Sequence, residues 1–255
     1  MKIFDDIKNK FTNAFKLVPV IGKTIHTDVP LLYEIYFKYK SPCRDKIFVN
    51  EHGNKINTRL WERFEQYFVT KHVDSYACVL EIGGRYGIIS YCIQDKLINK
   101  NQHIVVEPDD KIVEVLKKNM VANKMSNALF HGVISRENKQ IKGTGLATYT
   151  CPCDEADDSV ANTNIENLEP LQNGFFNDKK KVKFDTMMID CEGCFIALFD
   201  EYKDYILENV NTIIIEIDRL PYEKYNKIFE ELYENNFKLV DQFSCHIYVL
   251  KRNDY

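Results

Sequence analysis

The chain has 255 residues, a formal charge of −4, 45% hydrophobic residues and 28% charged ones. That length suits one large α/β core with a small extension. The near-balanced charge excludes the strong basic field with which nucleic-acid-binding domains attract phosphate. No apolar stretch approaches the ~18 residues of a membrane span. Met1 to Lys16 lacks the apolar region and small-residue cleavage site of a signal peptide. The sequence therefore reads as soluble, intracellular and cytoplasmic. Eight cysteines in such a reducing compartment are expected as thiols rather than disulfides. Cys151, Cys153, Cys191 and Cys194 could be combined into a four-thiolate zinc site, but Cys151-Pro152-Cys153 has the wrong spacing for a zinc knuckle.

Residues 1–55 read as a helical extension, for acceptor binding or oligomerisation, and 56–255 as the main domain. The extension holds an amphipathic helix, a Pro-containing link at Val18 to Gly22 and the aromatic run Leu31 to Lys40, which offers a surface to a second copy in a homodimer. Asn57 to Lys71 has helical spacing, with Leu60, Trp61, Phe64 and Phe68 on one stripe. Strands are expected at Ala77 to Ile82, His103 to Glu107, Ala128 to Val133, Phe184 to Ile189 and Thr212 to Ile217. Helices follow the first two, at Ile88 to Leu97 and Lys111 to Asn123. Alternation of this kind gives a parallel sheet covered on both faces. Phe237 to Phe243 and His246 to Lys251 are separated by almost nothing and predict an antiparallel hairpin. A mostly parallel seven-stranded sheet ending in that hairpin is the class I methyltransferase form of the Rossmann-like α/β fold. Between the third and fourth strands, 136–183 is an insertion long enough to cover an acceptor site, with a short helix expected at Ile165 to Leu171.

The segment Val79 to Gly87 carries the most specific signal. An apolar run ends in an acid and enters the turn Ile82, Gly83, Gly84, Arg85, Tyr86, Gly87, after which a helix begins. Such a turn brings bare backbone and a helix N-terminus to a ligand. About twenty residues on, a second apolar run ends in Glu107-Pro108, where an acid at the strand tip holds a ribose diol. A diphosphate site would place glycine where Arg85 stands, and the acid Glu81 sits badly beside phosphate. Glu81 suits an ammonium instead. S-adenosylmethionine (SAM) has an amino-acid tail, a ribose and no phosphate.

A second constellation closes the fourth strand, where Ile189 leads into Asp190-Cys191-Glu192-Gly193, and the fifth strand ends in Glu216 and Asp218. Carboxylates gathered at the ligand edge of a sheet repel one another unless a cation or a shared proton compensates. Asp190, Glu216 and Asp218 are the candidate ligands of Mg²⁺ or Mn²⁺. Asp218 equally suits a cap for the helix beginning near Pro221.

Taken in order, Glu81-x-Gly83, Glu107-Pro108-Asp109, Leu116-Lys117-Lys118-Asn119 and Ile189-Asp190-Cys191-Glu192-Gly193 resemble the FkbM family of SAM-dependent O-methyltransferases over roughly residues 55–220. The resemblance implies methyl transfer to a hydroxyl of a sugar, a glycan or a glycosylated small molecule. Related domains decorate glycans in large DNA viruses, which would place the protein in a host compartment. It implies cofactor contacts at Glu81, Ile82, Gly83, Gly84, Arg85, Tyr86, Gly87, Glu107, Pro108 and Asp190, with adenine against His131 to Ile134, including Val133. Asp190 and Glu192 become the catalytic pair, Glu192 as general base. Gly84-Arg85 departs from the family, which more often has small residues and Asn there.

Two other enzyme classes and one binding role compete. An N-methyltransferase of nucleic acid would carry Asn or Asp before Pro-Pro and an aromatic residue, unlike Asp190-Cys191-Glu192-Gly193. A ribose 2′-O-methyltransferase on RNA would place lysines beside the catalytic aspartate, where this chain has Glu216 and Asp218. A catalytically silent SAM-fold scaffold or glycan-binding module would not need the acids at both tips.

Overall fold

A computed structural model of the chain describes residues 29–143, 149–153, 160–173, 179–217, 222–243 and 246–253. The helix expected at Met1 to Lys16, the link Val18 to Gly22, Asp154 to Asp158, Asp218 and Pro221 lie outside them. The main sheet consists of β1 (Val79–Ile82), β2 (His103–Glu107), β3 (Ala128–His131), β4 (Thr186–Ile189), β5 (Thr212–Glu216), β6 (Phe237–Phe243) and β7 (Ile247–Arg252). Their order is β3-β2-β1-β4-β5-β7-β6. Strands β1 to β5 run parallel, and β7 inserts antiparallel between β5 and β6. This is the Rossmann-like class I methyltransferase sheet. The order reverses between β1 and β4, which is where open α/β sheets form a ligand crevice.

The central strands β1, β2, β4 and β5 are largely apolar on both faces, and period-2 alternation divides their side chains between two cores. Leu80, Ile82, Met187, Ile189, Ile213 and Ile215 join one cluster with Phe195, Phe199 and Phe229. These aromatic residues come from α4 (Phe195–Asn209) and α5 (Tyr222–Glu234). Val79, Met188, Ile214 and Val249 join the other with Phe68, Ile93 and Val115, from α1 (Arg63–His72), α2 (Ile88–Lys96) and α3 (Asp110–Ala122). The aromatic segment near the N-terminus belongs to that second face. Ile35 is fully buried there, and the Arg63 guanidinium donates to the carbonyls of Ile35, Tyr39 and Arg59.

Several expected boundaries shift for local reasons. The helix predicted from Asn57 begins at Arg63, because Glu62 takes a left-handed φ of 49°. The buried Gln66 amide instead collects the carbonyls of Thr58 and Trp61. The predicted stripe is thereby divided. Leu60 is 65% exposed and Phe68 fully buried, while Phe64 stacks on Phe243 with ring centroids 3.6 Å apart. The third strand stops at His131, and Val133–Ile134 leaves the sheet to pair with Asn162–Thr163. In the insertion, Lys139–Lys142 pairs with Tyr149–Pro152, and Leu171–Asn173 pairs with Lys179–Lys181. The short helix there covers Ile165–Leu168, and Leu171 begins a strand instead.

Glu81 in β1 and His103 in β2 form a polar contact inside the second core. His103 Nε2 lies 2.8 Å from Glu81 Oε2, and the two side chains are 0% and 1% exposed. Removing one member of such a pair leaves a buried group unpaired and costs about 3–5 kcal/mol, whereas an apolar pair of similar volume is tolerated far better. His103→Leu should therefore lower the unfolding free energy by that amount in urea titration. Glu81→Leu combined with His103→Leu should recover most of the loss. Equal losses in the single and double variants would remove the pair from this account.

Candidate functional site

At the carboxyl edge of β1, β2, β4 and β5 the structure encloses a cavity of ≈ 350 Å³. Its floor is the turn after β1. Gly83 has φ 91°, and a Cβ placed on it would lie 1.7 Å from the Asp190 carbonyl oxygen. No other residue fits that approach. The turn is tied sideways by Gly83 N–H to Val106 O (2.9 Å), and the next strand by Asp190 N–H to Ile82 O (2.9 Å). Gly84 packs instead of lining the cavity, since a Cβ there would meet Val105 Cγ2 at 2.4 Å.

Glu107 ends β2 with its carboxylate held by backbone. Oε2 accepts from Arg85 N–H at 2.9 Å and Oε1 from Asp109 N–H at 3.0 Å. Asp109 in turn caps α3, accepting from Lys111 N–H at 2.9 Å. Burial raises the Glu107 carboxyl above the ordinary glutamate range, against the lowering effect of those two N–H groups. Each oxygen retains acceptor capacity toward the cavity. Beside it, Val106, Pro108, Ile112, Val133 and Ile134 form an apolar wall.

The structure brings together Ile82, Gly83, Arg85, Glu107, Pro108, Val133, Asp190, Glu192 and Glu216 of the predicted set. It does not bring in Glu81, whose side chain turns under the floor to His103. Tyr86 is buried away from the cavity, its hydroxyl donating to Glu51 Oε2 at 2.5 Å. Gly87 caps α2 with φ 81°. His131 turns outward on its strand to Asp110, 2.9 Å away, so the wall is made by Gly132, Val133 and Ile134 without it. The backbone of Arg85 serves Glu107, and its guanidinium lies 4.8 Å from the Tyr86 ring centroid. Among the described residues no group of three or more acids, histidines or cysteines is disposed to hold a metal ion; Asp218, the third predicted ligand beside Asp190 and Glu216, lies outside them.

Three contributions escaped the sequence. The first is Glu62, which lines the cavity beside Trp61 and accepts from Trp61 Nε1 at 2.8 Å. Desolvation, with the charges of Glu65 and Glu81 added, pushes its carboxyl up to about 8. A non-glycine residue at positive φ beside a crevice was the missing signal, and φ is invisible in sequence. The second is the pairing of strands inside the insertion, 139–142 with 149–152, which places Lys139, Ile141, Tyr149 and Thr150 at the cavity. Glu201 of α4 anchors its root, accepting from Ser135 Oγ at 2.9 Å and Arg136 N–H at 2.6 Å, with Lys139 Nζ at 3.5 Å. The third is a correction: Cys191 and Cys194 are joined in a disulfide, not held as reduced thiols. That bond also removes them from any four-thiolate site with Cys151 and Cys153.

No family model matches the chain, and no curated protein matches its sequence. Among solved structures it is similar to a protein of the NADB-Rossmann superfamily from Streptococcus agalactiae, with 13% identity and a TM-score of 0.44 over 74% of this chain and 67% of that one. It is similar also to a ribosomal protein L11 methylase from Lactobacillus delbrueckii subsp. bulgaricus (12%, TM-score 0.43, 74% and 77%). A third is an O-methyltransferase from Bacillus cereus in complex with SAH (15%, TM-score 0.41, 74% and 79%). Values this low carry no argument about residues or reaction. The architecture stands on the strand order itself.

The floor makes one firm demand. Gly83→Ala forces either the turn or the Asp190 carbonyl to move, at a cost of about 2 kcal/mol or more. Urea titration should show that loss, together with increased amide exchange at 83–87 and 190–194. Unchanged stability would mean that the two tips do not depend on their close approach.

Proposed function

We propose that the chain is a SAM-dependent O-methyltransferase of the FkbM kind, acting on a hydroxyl of a sugar, a glycan or a glycosylated small molecule. The observation that carries this reading is the charge of the cavity around Glu107. Glu62, Glu107, Asp109, Asp190, Glu192, Glu201 and Glu216 line it, against Arg85 and Lys139. With Glu62 mostly protonated at pH 7, the other six acids, opposed among the described residues by two cations, repel a dinucleotide's diphosphate and an RNA phosphodiester, and favour a cationic ligand with a neutral polyol acceptor. The same charge disfavours ribose 2′-O-methylation of RNA.

The residues present fit the cofactor. Glu107 accepts from both ribose hydroxyls, while Val106, Ile112, Val133 and Ile134 enclose the base. Glu62 takes the place that the sequence suggested for Glu81 and faces the ammonium of the amino-acid tail. Bound there, SAM supplies an electrophilic methyl group on a sulfonium. The chain's own work is to align an acceptor oxygen and remove its proton. Glu192 is the general base of this proposal and Asp190 its neighbour below the reacting centre. No step is routed through Mg²⁺ or Mn²⁺. The strand pair 139–152 and the exposed aromatic residues Tyr33 and Phe37 are candidate surfaces for the acceptor and for a second copy, respectively. No helix among the described residues is long and apolar enough to cross a membrane.

Calorimetric titration with SAM tests the reading. Micromolar binding is expected, weakened by a few kcal/mol in Glu107→Ala, the scale of charge-assisted hydrogen bonds. Absence of binding in the unsubstituted chain would refute the cofactor assignment. Binding without methyl transfer to any of a panel of mono- and oligosaccharides would favour the silent scaffold.

Glu62 adds a proton-linked signature. With its carboxyl raised to about 8, Glu62 is mostly neutral at pH 7, and an ammonium beside it favours ionisation. Binding should then release nearly one proton per ligand at about pH 7, about half that at pH 8 and little above about pH 9. Calorimetry in buffers of different ionisation enthalpy reads this directly, and Glu62→Gln should abolish the release. The same raised value means that ionising Glu62 opposes folding. Glu62→Gln should therefore raise the Tm of the ligand-free chain more at pH 9 than at pH 5. Proton release persisting in that variant would assign the ammonium to another group.

A further inference from the structure

We propose that Cys191 and Cys194 form a reversible dithiol–disulfide couple that exchanges with a dithiol reductant and sets the conformation of the Asp190–Gly193 loop at the cavity. The disulfide closes over only two residues, Glu192 and Gly193. Both are left-handed, with φ 53° and 93°. Glycine adopts that conformation freely, whereas the Cβ of Glu192 makes it strained there, so that it is held only under external constraint. Two ties cross the turn between the cysteines: the sulfur–sulfur bond, and the backbone bond from Cys194 N–H to Cys191 O at 3.2 Å. Breaking the first removes the covalent tie, and Glu192 relaxes toward ordinary backbone angles. Its carboxylate then leaves the position it holds at the cavity.

The sulfurs are placed for exchange. Cys191 and Cys194 are only partly buried, and both line the cavity. Cys194 is also the N-cap of the fifteen-residue helix α4, whose N-terminal partial positive charge favours an anionic sulfur as leaving group. The flanking carboxylates of Asp190 and Glu192 oppose this and slow attack by an anionic thiolate. By contrast, Cys43 and Cys92 are fully buried, 3.4 Å apart at their sulfurs, with no comparable access.

The chemistry balances with one named co-reactant. A thiolate of the dithiol attacks one sulfur, the Cys191–Cys194 bond breaks, and the released sulfur takes a proton. The second thiol of the reductant then attacks the reductant's own sulfur in the mixed disulfide, which closes a cyclic disulfide and expels the remaining protein sulfur, and that sulfur takes the second proton. The protein gains two electrons and two protons, and the reductant loses them.

The test uses the full chain, equilibrated with reduced and oxidised dithiothreitol in graded ratios, quenched in acid and alkylated. In peptide mass spectra, Cys191 and Cys194 should gain two alkyl groups together as the ratio rises. Hydrogen exchange at 190–194 should accelerate about fivefold or more on reduction, within the usual range of coupling between linked sites. Cys191→Ser and Cys194→Ser should each show the exchange of the reduced chain under oxidising conditions. Complete alkylation in oxidised dithiothreitol, reduction only after unfolding in urea, or equal exchange in the two states would each overturn the proposal. SAM affinity differing about tenfold between the states would extend it to the ligand. Failure to bind SAM in either state, with the exchange difference intact, would refute the cofactor reading and leave the couple standing.

Discussion

The contact between the backbone of Gly83 and the carbonyl of Asp190 is the constraint on which the rest of this molecule depends. Two neighbouring parallel strands, β1 and β4, end at the same level and send their chains in different directions. The crevice exists because the sheet order reverses between them. Its floor exists because the turn after β1 can lie against the end of β4 without a side chain between them. From that contact the turn carries Arg85 N–H to Glu107, and the chain beyond Asp190 carries Glu192 to the opposite rim. A shift at Gly83 therefore moves both halves of the site together.

Carboxylates concentrate in and beneath the site, and Glu81, Glu107, Glu62 and Glu201 are each compensated in a different way. Glu81 is withdrawn into the core and held by His103. Glu107 is held by two backbone N–H groups, a compensation that leaves its outer lone pairs available. Glu62 is compensated by its own proton, because burial and neighbouring acids make the charged form expensive. Glu201 is spent on the root of the strand pair that covers the cavity. A cavity built in this manner has little to offer a phosphate and much to offer a cation, which is why electrostatics supports the proposed function more firmly than overall fold does.

The two segments with the least periodic sequence complete the walls. Trp61 and Glu62 enter from a turn that interrupts an apparent helix, and Tyr149 and Thr150 from a strand pair inside a polar insertion. Neither segment is placed by a hydrophobic stripe. The first is placed by the Gln66 amide gathering carbonyls, the second by the anchoring of residues 135–139 on Glu201. Single polar side chains thus position the two segments that complete the cavity walls.

Sequence alone determined the sheet, the crevice and the tips that line it. Buried parallel strands must be apolar on both faces, glycine must stand where backbone meets backbone, and an acid at a strand tip marks a ligand edge. These requirements act within a few consecutive residues, so Val79 to Gly87, His103 to Glu107 and Ile189 to Gly193 carried them openly. Tertiary structure alone decided which acids face the cavity. Glu81 and His131 lost their places because His103 on the neighbouring strand and Asp110 at the start of α3 captured them. Glu62 gained one because a left-handed turn aimed it inward. The pairing of Cys191 with Cys194 was likewise decided by a fold that bends two intervening residues into left-handed angles. Such outcomes are set by competition among partners brought together through the fold, and no local pattern of residues records who wins.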